Sequence, residues 1–254
     1  MINQTINGLR LFKFEALAQF ADLRHAVFSR QGGFSRGPYA GLNTSLGVGD
    51  DKADVQSNRR AVAACFDHPK MTYPRQVHGT MVLSFSASAA PARQNGHHIG
   101  DALITNEKNR FLTIQVADCQ PILLYDPSNQ AVANIHAGWR GTIQDIIART
   151  IAMMKSDFGT SATDLVAGIG PSLGPCCAEF VNYQKEFPRR YWTYGDSRRH
   201  FDFWHISRDQ LMAAGVAPQN IHISNLCTRC RTDLFFSYRG ERVTGRFAAV
   251  IGLV

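Results

Sequence analysis

The sequence predicts an α/β fold. Apolar runs of strand length alternate with segments whose apolar residues recur at helical spacing, and Gly-, Pro- and Asn-rich stretches separate the two. The pattern is clearest between Ala117 and Phe158. There Ile122–Leu124 and Ala131–Ile135 read as two short buried strands joined by an Asp126-Pro127-Ser128-Asn129 turn, and Ile143, Ile146, Ile147, Ile151, Met154 and Phe158 follow at helical period. At 254 residues and 44% hydrophobic the chain can bury a sizeable core. One large domain or two small ones are allowed, and no linker or shift in composition favours two.

In chain order, the first twenty residues alternate apolar side chains with Lys13 and Glu15 and lack a basic region followed by an apolar core, so no secretory signal is expected. Arg24–Phe28 reads as a strand. The glycines and proline of Gly32–Asn43 predict a shaped loop, of a kind that often lines sites, with a plain surface loop as the default reading. From Asp51 a helix is expected, with Val55, Val62, Cys65 and Phe66 on its apolar face and Arg59 and Arg60 off it. Tyr73–Thr80 is extended, with a bend that Gly79 permits and His78 at the bend. Ala87–Gly100 reads as a mobile loop, its His97-His98 pair solvated. Asp101–Thr105 and Phe111–Val116 are strands. Thr142-Ile143-Gln144-Asp145 resembles a capping box opening the central helix, and Leu165–Ile169 is a further strand. Ser207-Arg208-Asp209-Gln210 is read as a second capping box, with Gly215 closing its helix. Ile221–Ser224 is a strand, and the tail from Phe235 to Ile251 reads as two strands joined by a charged turn.

Composition excludes several classes. No apolar stretch is long enough to span a membrane. Arginine outnumbers lysine 21 to 6 and supplies most of the +7 charge. The arginines are scattered, without a basic stripe interleaved with aromatics, which favours an anionic small molecule over nucleic acid. Six cysteines in a chain this long suggest reduced thiols in a cytoplasm rather than a disulfide scaffold.

The hairpin brings Cys119 and His136 together at its open end, and a soft sulfur beside an imidazole suits zinc or copper. After His136, Gly138-Trp139-Arg140-Gly141 leads into a helix. Free N–H groups and the Arg140 fork make it either a phosphate or carboxylate cradle or a plain strand-to-helix turn with a packed Trp139. His78, on its residues alone, reads as structural or exposed rather than as a ligand. Cys65 reads as a small core residue. Adjacent Cys176 and Cys177 allow ligation, a strained disulfide or packing, with packing the default. Cys227-Thr228-Arg229-Cys230 is a single knuckle and reads as structural, because a zinc ribbon needs two and the Cys176-Cys177 spacing does not supply the second. Arg239 and Arg246 are placed to face a site.

Taken together, Arg75-Gln76-Val77-His78-Gly79, Ala117-Asp118-Cys119, His136–Gly141, Gly168-Ile169-Gly170-Pro171 with Cys176-Cys177, Cys227-Thr228, Phe235–Arg239 and Thr244-Gly245-Arg246 resemble the YfiH family. Its members have been labelled laccase-domain or polyphenol oxidase proteins, zinc-dependent purine nucleoside phosphorylases with adenosine deaminase activity, and peptidoglycan-editing factors. The resemblance runs from Gly32 to Ile251. One departure is Ala178, where many members carry an aromatic.

The resemblance implies one α/β domain over residues 1–254, with a mixed sheet flanked by helices, acting as a cytoplasmic monomer or weak homodimer. It implies a zinc site of His78, Cys119 and His136, open at its fourth position as catalytic zinc is, with copper the less favoured metal. Adenosine, inosine, guanosine and methylthioadenosine would be the nucleosides. Asp118 would orient a histidine or carry protons. Arg140, Arg75 and Asn43 would hold substrate or phosphate. Deamination would proceed by water attack at C6, phosphorolysis by phosphate attack at the ribose C1′.

Two rivals stand beside this reading. Cys119 with His136 or His78 also satisfies the geometry of a cysteine hydrolase. A non-catalytic peptidoglycan-editing or binding factor with structural zinc belongs to a different class. A multicopper oxidase is disfavoured, since nine histidines include no His-x-His pair.

Overall fold

Two six-stranded mixed sheets face one another in the computed structural model of this chain, which describes residues 1–86 and 91–254. The strands are β1 (Ile2–Ile6), β2 (Leu9–Lys13), β3 (Leu23–Phe28), β4 (Lys70–Thr72), β5 (Val82–Phe85), β6 (Ala102–Thr105), β7 (Arg110–Val116), β8 (Gln120–Asp126), β9 (Ala131–Ala137), β10 (Val166–Ile169), β11 (Ile221–Ile223) and β12 (Phe247–Leu253). The first sheet has the order β1-β2-β3-β12-β7-β4 and the second β11-β10-β8-β9-β6-β5. In the first, β12 lies between β3 and β7 and is antiparallel to both. Parallel pairs occur at β4 with β7, β5 with β6 and β10 with β11, which makes both sheets mixed.

The helices are α1 (Glu15–Ala18), α2 (Lys52–Ala64), α3 (Trp139–Ile143), α4 (Ile146–Phe158), α5 (Tyr183–Glu186), α6 (Phe203–Ala213) and α7 (Tyr238–Glu241). Strand alternation explains the layers, because successive side chains point to opposite faces. Leu112, Ile114 and Val116 of β7 and Ala249 and Ile251 of β12 join Leu123 and Tyr125 of β8 in one core between the sheets. Phe111, Ala248 and Val250, on the other face, pack with Val62 of α2. Ile122, Leu124, Ala133 and Ile135 turn outward from the second sheet to meet Ile147, Ile151 and Met154 of α4 and Leu211 of α6. Asn134 crosses between the sheets, donating to the Leu112 and Ala249 carbonyls at 2.9 and 2.8 Å.

The expected α/β class with mixed sheet and flanking helices is present, and its strands divide between two sheets. The central strands β7, β8, β9 and β12 are buried on both faces, so they read as largely apolar runs that carry no mark of which sheet they enter. Three local expectations change. The helix after His136 begins at Trp139 and breaks at Asp145, which takes a left-handed φ of 61°. Its carboxylate caps no helical N–H and instead receives Arg190 and the Tyr191 hydroxyl. α6 starts at Phe203 behind an Asp202 cap, and Ser207 is a buried mid-helix residue donating to Gln120. The tail is one strand rather than two: Ser237 caps the single turn α7, and Phe235 and Phe236 bury in the core. The expectation at Ala87–Gly100 lies partly outside the described residues, and His98 there packs edge-on against Phe85.

Candidate metal centre and substrate cavity

Two crossings between the sheets build the site. Residues 73–81 carry the chain from β4 to β5, and residues 117–119 carry it from β7 to β8. His78 sits on the first and Cys119 on the second, while His136 lies near the end of β9, opposite Pro121. Both crossings use left-handed backbone, at His78 itself (φ 60°) rather than Gly79, and at Asp118 (φ 85°). Such conformations persist for bulky residues only where the surroundings over-determine them. The donor atoms of His78, Cys119 and His136 all lie within 4.8 Å of one another. The two imidazoles meet edge to face, with centroids 4.7 Å apart. Gly138 completes the floor, because a Cβ there would stand 3.1 Å from His78 Cδ2 and 3.3 Å from Cys119 Sγ.

Asp101, at the head of β6, organises the trio. His136 Nδ1 donates to its carboxylate at 2.8 Å, and the backbone N–H groups of His78 and Gly79 donate at 2.8 and 2.7 Å. One buried carboxylate thus shapes the His78 bend and orients the His136 ring, leaving Nε2 to face the sulfur. Burial opposes every charge here, yet the hydrogen bonds and charge of His136 hold Asp101 below the usual carboxylate range. Burial would also raise the Cys119 thiol, but His136 and His78 bring it down to about 6. His136 is pushed up to about 9 against its own burial by the Cys119 thiolate and Asp101. The orienting role expected of Asp118 at a histidine therefore belongs to Asp101. The sequence signal for it was one acid at the head of an apolar run.

Asp118 is instead occupied by three donors: the Thr228 and Ser237 hydroxyls at 2.6 and 2.7 Å and the Arg239 backbone N–H at 2.6 Å. It lines the same cavity as the trio, about 890 Å³ in volume, which falls in the range of small-molecule sites. Arg59, Arg75, Arg140, Arg239 and Arg246 line it as well, with Asp118 the acid among the lining residues. Arg246 is held below its usual value by burial, against the pull of Cys119 and Asp118. Tyr73, Trp139, Phe180, Phe203 and Tyr238 supply aromatic walls, with the small Ala178 also among the lining residues.

Asn43 is not at the cavity. It is fully buried, donates to Asp50 at 2.7 Å and accepts the Arg246 backbone N–H at 2.8 Å, so it shapes the chain that presents Arg246. The Gly32–Asn43 loop likewise supports rather than lines: Asn58 of α2 ties Phe34, Ser35 and Asn43 together. Cys176 and Cys177 also depart from expectation, since Cys176 is exposed and both lie 3.5 Å from Cys230 rather than packing in a core.

The model of the family described as multi-copper polyphenol oxidoreductase laccase matches residues 24–254. The chain is 35% identical over 245 residues to a protein of Bacteroides thetaiotaomicron named purine nucleoside phosphorylase, covering 91% of each. The purine nucleoside phosphorylase YlmD of Geobacillus stearothermophilus is 34% identical over 252 residues, covering 92% of this chain and 91% of its own. The crystal structure of the hypothetical protein YfiH from Bacillus licheniformis superposes with a TM-score of 0.87 at 29% identity, covering 98% of this chain and 97% of that one. The chain belongs to the YfiH family. In this YfiH-family chain the trio presents two imidazoles and one thiolate to one point, with the remaining side open to the cavity. That donor set and spacing can hold a metal ion with borderline-soft preference. Among the described residues of the family member, no helix is long and apolar enough to cross a membrane.

Proposed function

We propose that this protein is a zinc-dependent purine nucleoside phosphorylase that also deaminates adenosine. The observation that carries the reading is the convergence of His78, Cys119 and His136 at the floor of an arginine-lined cavity. The names of the family relatives support the substrate class. Three protein donors leave one position free, as in catalytic rather than structural zinc sites. When bound, zinc supplies Lewis acidity toward an oxygen atom of the co-substrate.

The remaining steps fall to the chain. Arg75, Arg140, Arg239 and Arg246 hold phosphate over the trio, with bidentate forks suited to its oxygens. The aromatic walls hold the purine and exclude bulk water. In phosphorolysis a phosphate oxygen bonds to the ribose C1′ as the bond to the purine nitrogen breaks, its electron pair leaving with the protonated base. In deamination water adds at C6 and ammonia leaves. Asp118, with three donors already on its carboxylate, fixes the Tyr238–Arg239 wall. Asp101 keeps His136 in one tautomer.

The test is elemental analysis of protein purified without added metal, in parallel for the native chain and Cys119→Ala, with adenosine plus phosphate supplied to both. Stoichiometric zinc that disappears together with adenine and inosine formation supports the reading. The Cys119–His136 pair favours one second reading, a cysteine hydrolase, because a thiol lowered to about 6 beside a raised imidazole is an activated nucleophile. Rapid alkylation of Cys119 in isolated protein, unchanged by chelator, would favour that alternative.

A further inference from the structure

A second sulfur cluster stands outside the cavity. Cys176 and Cys177 follow β10 on the Gly170–Ala178 loop, while Cys227 and Cys230 follow β11. None of the four lines the main cavity. The two segments are stitched side by side: Ser172 N–H donates to the Leu226 carbonyl at 3.2 Å, and Thr228 N–H donates to the Ser172 carbonyl at 3.0 Å. Gly174 permits the approach, because a Cβ there would lie 3.1 Å from Cys227 Cβ and 2.8 Å from the Trp204 ring. The Arg231 N–H donating to the Cys227 carbonyl at 3.0 Å closes the knuckle.

All four sulfurs lie within 4.8 Å of one another. Cys230 Sγ is 3.5 Å from both Cys176 Sγ and Cys177 Sγ. A tetrahedral tetrathiolate with metal–sulfur bonds of about 2.3 Å sets its sulfurs about 3.8 Å apart, close to the 3.5 Å of the two Cys230 pairs and inside the 4.8 Å that spans the cluster. A disulfide needs about 2.05 Å, and Cys230 stands equally near two partners. We propose that Cys176, Cys177, Cys227 and Cys230 form a closed tetrathiolate zinc site, distinct from the His78–Cys119–His136 trio.

The surroundings fit such an ion. The Gly174 N–H donates to Cys227 Sγ at 3.3 Å, the contact that steadies a metal thiolate. Four soft thiolates in tetrahedral array select zinc among abundant divalent ions and leave no position for substrate. The role is therefore architectural. Cys177 immediately precedes the cavity residue Ala178, with Phe180 two residues further on, and Thr228, inside the knuckle, donates to Asp118. The ion would pin two walls of the cavity from outside. Vicinal and Cys-x-x-Cys pairs lying 50 residues apart in sequence make one site only because β10 and β11 are parallel neighbours.

Cobalt(II) substitution reads this site without activity. Protein exchanged into cobalt is compared for the native chain, Cys119→Ser, Cys230→Ser and Cys230→His. Intense sulfur-to-cobalt charge-transfer and tetrahedral ligand-field bands are expected in native protein and in Cys119→Ser. Cys230→Ser should lose the intense tetrathiolate bands and keep only the weaker absorption of the single Cys119 thiolate at the trio, whereas Cys230→His, which keeps four donors, should retain strong bands at shifted wavelength. Elemental zinc should fall by one equivalent in Cys119→Ser and by a different one in Cys230→Ser. Circular dichroism verifies that Cys230→Ser is folded. Absence of tetrathiolate bands in the Cys119→Ser protein would overturn the proposal, as would a Cys176–Cys230 or Cys177–Cys230 disulfide found by mass spectrometry in freshly purified protein. Either result leaves the trio untouched, since its metal is counted separately in Cys230→Ser.

Discussion

Asp101 grips His136 at 2.8 Å with the same carboxylate that receives the backbone of His78, so two donors from distant segments share one anchor. Asp101→Asn keeps the shape and most of the backbone contacts but withdraws the charge from the imidazole. Metal affinity at the trio should fall about 10- to 100-fold, read by competition with a chelator. Unchanged affinity would show that His136 is oriented by packing alone.

Gly138→Ala places a methyl against His78 and Cys119 at 3.1 and 3.3 Å. The thermal midpoint should move little, because the added carbon meets the donor side chains at the floor of the site rather than the hydrophobic core. Metal content and turnover should both drop sharply, and titration with a zinc indicator separates this from loss of fold.

Arg140 is exposed at the cavity rim with its guanidinium over the Trp139 ring. Arg140→Ala should raise KM for phosphate about tenfold, a change of about 1.4 kcal/mol, with a smaller change in KM for nucleoside. Steady-state kinetics with each substrate varied in turn tests this. Equal loss for both substrates would argue that Arg140 shapes the Trp139 wall instead.

Asn58 is fully buried and accepts from Phe34 N–H at 2.7 Å while donating to Ser35 and the Asn43 carbonyl at 2.9 and 2.7 Å. Asn58→Ala leaves several buried groups without partners and should cost about 3 kcal/mol in urea unfolding. Arg246, reached through Asn43, should become mispositioned, so phosphate KM should rise in the folded fraction.

His25 is buried, and its Nε2 accepts the Phe14 N–H at 2.9 Å. Burial, reinforced by Lys13, lowers its pKa from 6.5 to about 3. The unfolded chain therefore binds the proton more readily than the folded one. Stability from this residue is full above about 6.5 and is lost progressively as pH falls toward about 3. Urea midpoints measured at pH 7 and pH 5 should differ less for His25→Gln than for the native chain.

Much of this was readable in the residues. The Pro127–Asn129 turn and the apolar runs beside it located the β8–β9 hairpin, and with it the meeting of Cys119 and His136. His78 was different: nothing local marks a histidine in an extended segment as a ligand, and the motif resemblance was needed to bring it in. Asp101 stayed hidden because its partners lie 22 to 35 residues away and form only when β6 pairs with β9. The sulfur quartet stayed hidden for the same reason, its knuckle judged by spacing along the chain while parallel pairing set the spacing that matters. Asn43 was misplaced because buried amides that shape loops look, as residues, like amides that bind ligands. The tail failed on period: Phe235 and Phe236 both bury, with no alternation to separate a strand from a turn.

The position of β12 bears on how the molecule is made. Every strand of the second sheet, from Val82 to Ile223, precedes it in the chain, so that sheet can assemble while synthesis continues. The first sheet cannot close, because β3 and β7 both wait for Phe247–Leu253 to slide between them. Until then two apolar strand edges stand open, the condition under which nascent chains pair with one another. Polypeptides released short of Phe247 should therefore aggregate rather than persist as partly active fragments, and the last strand serves as a checkpoint between synthesis and folding.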